Sequence, residues 1–75
     1  MTWIKLTHTS GVTYLNLDQV HRFEETSSTD ITFYYADNST TSSYSLASSS
    51  ELASLIAKLS SILKVINIDQ LATQG

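Results

Sequence analysis

The stretch Ser48-Ser49-Ser50-Glu51-Leu52-Ala53-Ser54-Leu55-Ile56-Ala57-Lys58-Leu59-Ser60-Ser61-Ile62-Leu63 decides the fold. Leu52, Leu55, Ile56, Leu59, Ile62, Leu63 and then Ile66 recur at steps of three and four. That spacing puts apolar side chains on one stripe of an α-helix. Ser48 offers a hydroxyl that can accept from a first-turn N–H, and Glu51, three residues on, can reach back to complete a capping box. Lys58 and Lys64 fall toward the far end, where cations suit the dipole. The pattern predicts a helix over about residues 49–64. No other stretch has this period, so the rest of the chain must supply the surface that the stripe covers.

What precedes the helix alternates instead of repeating at helical steps. Residues 3–9 read as a strand with Ile4 and Leu6 on one face and Trp3, Lys5 and Thr7 on the other. Ser10-Gly11 is a turn signal, because glycine supplies the positive φ of a tight hairpin. Residues 12–17 follow, with Leu15 and Leu17 on one face and Val12, Tyr14 and Asn16 on the other. Asp18-Gln19 closes a local turn. Residues 20–26 form a weaker strand in which Val20 and Phe23 sit three apart, so a turn or bulge near Val20 must re-aim one of them. Residues 31–36 are the strongest strand, rich in β-branched and aromatic side chains, and residues 40–46 are the last. The fold expected is α+β. One five-stranded antiparallel β-meander carries a single C-terminal amphipathic helix across one face.

Residues 65–71 support two readings. Ile66-Asn67-Ile68-Asp69-Gln70-Leu71 echoes Leu15-Asn16-Leu17-Asp18-Gln19-Val20, which makes residues 65–68 a short extra strand able to add to a neighbour's sheet edge. The plainer reading continues the helix to about Ile68 with a frayed tail from there to residue 75.

Seventy-five residues make one domain. A chain this short buries only about 60% of the surface its unfolded form exposes, so its core is marginal without reinforcement. With no cysteine, disulfides and thiolate zinc sites are excluded, which leaves association as the remedy and predicts a homo-oligomer. The cations are Lys5, Arg22, Lys58 and Lys64, set against seven carboxylate side chains for a net charge of -3. That balance makes a nucleic-acid partner or an anionic membrane surface unfavourable, since both need clustered cations. Met1-Thr2-Trp3-Ile4-Lys5 lacks the apolar run of a secretion signal, and no stretch approaches the length of a spanning helix. Membrane insertion is therefore not expected, and the expected location is the cytoplasm, or the virion if the chain comes from a phage. Asn38-Ser39-Thr40 matches a glycosylation sequon that would have no use there.

No catalytic pattern emerges. Serine is so abundant that chance Ser/His/Asp combinations carry no information, and no nucleophile elbow, zinc-protease, phosphate-loop or dinucleotide fingerprint occurs. His8 and His21 could meet across strands beside Asp18 or Glu24 as a weak metal site, although ordinary surface histidines explain them better. Glu24 and Glu25 are adjacent on a strand and point to opposite faces, so they make a poor acid pair. The expectation is no enzyme, no cofactor and no metal.

The aromatic residues are the better lead. Trp3, Tyr14 and Tyr34 all fall opposite the core-facing residues, so a sheet covered by a helix on one side leaves them bare on the other. Bare aromatics fit a protein interface. They could also stack the bases of a single-stranded nucleic acid, for which only Lys5 and Arg22 would be at hand, or simply lie among threonines. The interface candidates are Trp3, Tyr14, Tyr34, Val65, Ile66 and Ile68.

Ile4-Lys5-Leu6-Thr7, Gly11, Leu15-Asn16-Leu17-Asp18, Val20, Phe23-Glu24-Glu25-Thr26 and Ile31-Thr32-Phe33 together resemble the FlbD/SwrD-type small flagellar accessory family, whose members run from an I-x-L-T strand through L-N-x-D to a short helix. Ser50-Glu51 stands near that family's E-S pair in reversed order, while Ser28 and Asn38 replace its turn proline and glycine. The Ser/Thr-rich surface is also similar to that of small tailed-phage proteins. The resemblance implies strands followed by a helix, and no catalytic residue. The function expected is a non-enzymatic, self-associating protein-interaction module of phage or bacterial accessory type, either a virion component or a binder of a host factor. The alternatives are a single-stranded nucleic-acid-binding module and a flagellar accessory protein.

Overall fold

A computed structural model describes residues 2–37 and 39–66. Five strands and one helix follow in chain order: β1 (Trp3–His8), β2 (Gly11–Asn16), β3 (Val20–Glu25), β4 (Asp30–Tyr35), β5 (Thr41–Ser45) and α1 (Ser49–Leu63). The chain is a small α+β domain.

The single five-stranded meander is corrected. The strands divide into two antiparallel sheets, β1–β2 and β3–β4–β5. The cause lies at the end of β2, where Asn16 stays extended and its side-chain oxygen accepts the Asp18 N–H at 3.0 Å. That cap starts a 3₁₀ turn over Leu17–Gln19, which breaks the ladder and buries Leu17. The register then slips between Val20 and Arg22 as β3 pairs with β4. This bulge lets Val20 and Phe23 both pack against the core.

The sheets still touch at one corner. Thr9 N–H donates to the Ser45 carbonyl at 2.9 Å, and the His8 and Tyr44 rings lie 4.7 Å apart. One core serves both sheets. Leu6, Leu15 and Leu17 come from the first sheet and its turn, Ile31 and Phe33 from β4, and Leu46, Leu52 and Leu59 from the helix and its lead-in. Phe33 is fully buried, with Phe23 and Tyr44 rings about it at 6.1 and 6.0 Å.

The helix begins where Ser48 Oγ accepts the Glu51 N–H at 3.2 Å. It closes at Leu63, because Lys64 takes the left-handed conformation and Val65 N–H returns to the Ser60 carbonyl at 2.9 Å, a Schellman closure. The helix therefore does not run on to Ile68. Val65 and Ile66 lie outside any strand, and Ile68 falls outside the described residues.

Candidate functional site

The hairpin register sets the outer face of the first sheet. Trp3 pairs with Asn16, Lys5 with Tyr14 and Thr7 with Val12. Side chains of such directly opposed residues share a face, and diagonal neighbours lie within reach of long side chains. Trp3 and Tyr14 are diagonal neighbours of this kind. Trp3 is 57% exposed, Tyr14 63% and Val12 50%. Their partners on the opposite face, Leu6 and Leu15, are buried, so the strict alternation of the strands sends the aromatics outward.

Tyr34 belongs to the other sheet, so the three aromatics do not share one surface. It is half-buried, and β3 explains why. Arg22 sits opposite Tyr34 in the ladder, and its guanidinium lies over the tyrosine ring at 4.0 Å from the centroid. Glu24 accepts the Tyr34 hydroxyl at 3.5 Å and approaches Arg22 Nε at 3.6 Å. The rest of that face is a polar ladder. Thr32 and Ser43 hydroxyls meet at 2.8 Å, and Ser45 donates to Asp30 at 2.6 Å. The Ser45 bond, with help from Ser27, holds the Asp30 carboxyl below its ordinary value. Asp37 is lowered in the same way by the Thr40 hydroxyl and by the Thr40 and Ser39 backbone N–H groups.

Among the interface candidates after the helix, Val65 and Ile66 are exposed, Ile66 by 77%. Ile62 and Leu63, read from sequence as part of the core stripe, are exposed as well.

The two histidines lie in different sheets, His8 in β1 and His21 in β3. Ser10 N–H donates to His8 Nδ1 at 3.3 Å, and His8 Nε2 meets Thr13 Oγ1 at 2.8 Å. His21 lies exposed at the bulge in β3. Among the described residues, no three His, Asp or Glu side chains gather as metal ligands. No described helix is long and apolar enough to cross a membrane.

Two hollows remain. A groove of about 360 Å³ runs between β1 and the first half of α1, lined by Lys5, Thr7, Leu46, Ser54, Leu55 and Lys58 among others. A shallower one of about 410 Å³ lies by Gln19, Tyr35 and Asp37. Compared with known protein families, curated proteins and solved structures, the chain matches none.

Proposed function

We propose that the chain is a non-enzymatic, self-associating protein-interaction module, of the phage or bacterial accessory kind its strand patterning resembles, working in the cytoplasm or in a virion. The observation that supports this most directly is the bare apolar patch Trp3–Tyr14–Val12 on the outer face of the first sheet. Large aromatics held on a rigid hairpin lose little side-chain entropy on docking and remove much apolar area from water, which is why such residues anchor interfaces. The patch brings one cation, Lys5, and so lacks the row of positive charge that tracks a phosphate backbone. A chain with so small a core gains stability by covering the patch with a second copy.

Native mass spectrometry of the full chain tests the reading. The expected result is an oligomer whose mass falls to that of the monomer in Trp3→Ser and Tyr14→Ser. A monomer at all concentrations, or an oligomer indifferent to both changes, would overturn self-association through this face. A salt-sensitive mobility shift with a single-stranded oligonucleotide would move the patch to nucleic-acid binding.

A further inference from the structure

The groove beside β1 has the chemistry of a strand acceptor. Leu17 N–H donates to the Thr2 carbonyl at 2.8 Å, so hydrogen-bonded pairs fall at every second position from there: Ile4 with Leu15, Leu6 with Thr13, His8 with Gly11. The N–H and C=O of Lys5 and Thr7 therefore point away from β2. Thr9, next in that alternation, shows the direction, since its N–H is the one that reaches Ser45. Beyond that bond no backbone hydrogen bond joins β1 to β5 among the described residues, and the chain passes through Leu46 into α1. Among the described residues, no backbone group pairs with the outward groups of Lys5 and Thr7.

Helix α1 walls the other side of this open edge. Ser50, Ser54 and Lys58 are spaced at i, i+4 and i+8 and line the groove as one stripe. The two serines are small and exposed, so they leave width for a further backbone. Leu6, Leu46 and Leu55 also line it and make its apolar part. Lys5 and Lys58 are two of the chain's four cations, and Glu51 is the single acid in the lining. The groove is thus a cationic place on an anionic chain.

We infer that this groove binds an extended segment of another protein, which adds as a strand to the free edge of β1 and sets an acidic side chain opposite Lys5, on the outer face that Lys5 occupies. Backbone pairing supplies the affinity and Lys5 the choice of residue, the division of labour seen wherever a peptide augments a sheet. A second copy is the poorer occupant by its own β1, because that strand would bring another Lys5 to the same slot, like charge against like. The inference rests on the chain being a protein-interaction module, but not on the Trp3–Tyr14 face.

The probe is an acetylated, amidated peptide, Thr-Val-Thr-Glu-Val-Thr-Val, titrated into the isotope-labelled chain and followed by amide shifts. Saturable shifts at Lys5, Thr7, Ser50, Ser54 and Lys58 are expected. The same peptide with Lys in place of Glu is expected to bind about tenfold more weakly. Ser54→Trp fills the groove from an exposed helix position and should abolish the shifts while amide dispersion elsewhere is kept. Thr7→Pro removes an outward N–H that the β1–β2 ladder does not use, and should weaken binding too. Equal affinity for both peptides, shifts elsewhere, or indifference to Ser54→Trp would overturn the inference. So would edge signals that depend on protein concentration, which indicate a second copy entering by another strand. If the groove fails while Trp3→Ser still lowers the oligomer mass, only the groove assignment falls. If the mass is unmoved and the groove binds, only the self-association face falls.

Discussion

The two sheets finish their outer faces in opposite ways. On β3–β4–β5 almost every outward side chain has a partner in the same sheet: Arg22 on Tyr34, Glu24 on both, Thr32 on Ser43, Ser45 on Asp30. On β1–β2 the outward residues include Trp3, Tyr14 and Val12, half or more exposed. Both faces were made by the same strand alternation, so the difference is one of cross-strand chemistry. A face whose neighbours satisfy one another has little left to offer a partner. A face that sets apolar rings beside threonine and a single lysine keeps its apolar area in water, and that area is the free energy available for association.

The largest break in this comparison comes from beneath it. Phe33 lies under the three-stranded sheet but packs in the core that both sheets share, so Phe33→Ala should cost about 3–5 kcal/mol and unfold the two together. Urea unfolding read by tryptophan fluorescence, for Trp3 in the hairpin, and by far-UV circular dichroism, for the whole chain, should give one coincident transition. Two separated transitions would mean that the sheets are independent units.

Gly11 offers a cut at the hairpin alone. Its φ of 140° is in the region that L side chains rarely adopt, although a Cβ there would meet open space. Gly11→Ala should therefore cost about 1–3 kcal/mol through backbone strain. Amide exchange should show the loss first in β1–β2 and leave the β4–β5 ladder protected. Uniform loss would contradict the idea that the hairpin is held to the rest mainly by the core and the Thr9–Ser45 bond.

The finished face can be undone in smaller steps. Arg22→Ala strips the guanidinium from Tyr34 and should cost about 0.5–1 kcal/mol, as exposed cation–π contacts do. It should also raise the exposure of Tyr34, readable as faster iodination. Acid acts on the same sheet. The folded-state value of Asp30 is below that of the unfolded chain, so its contribution is complete above the ordinary carboxylate range and is lost as pH falls through the depressed folded value. Asp37 has the same sign. Asp30→Asn should flatten the acid limb of a stability–pH profile, and an unchanged limb would remove Asp30 as its source.

Much of this architecture was legible in the chain because two periods are hard to confuse. Steps of three and four marked α1 with its Ser48 cap, and alternation marked the strands and which of their residues face outward. The division into two sheets was not legible, because it turns on one side chain. Asp18-Gln19 marks the turn after β2, but the Asn16 side chain that caps it, and the 3₁₀ turn that follows and breaks the ladder, leave no such mark. Alternation alone leaves Tyr34 bare, because Arg22 comes opposite it only after the bulge shifts the register. Ile62 and Leu63 carry the right period for a core but lie exposed in the last turn of α1, and periodicity alone does not say where along a helix the buried stripe stops. The groove escaped because an unpaired strand edge leaves no mark in side-chain pattern.

The smallest effect expected is also the one that separates the two faces most cleanly. Trp3→Ser removes a large side chain that packs mostly against water, so the stability of the monomer should move by no more than about 0.5 kcal/mol. Chemical denaturation at high dilution, where association is suppressed, should show this near-silence. At higher concentration the same substitution should lower the midpoint, because the native state loses the stabilisation that binding a second copy contributes. A change that is silent in the monomer and visible only with concentration assigns the tryptophan to an interface. A large loss at high dilution would instead place Trp3 among the residues that hold the hairpin together, and the contrast between the two faces would disappear.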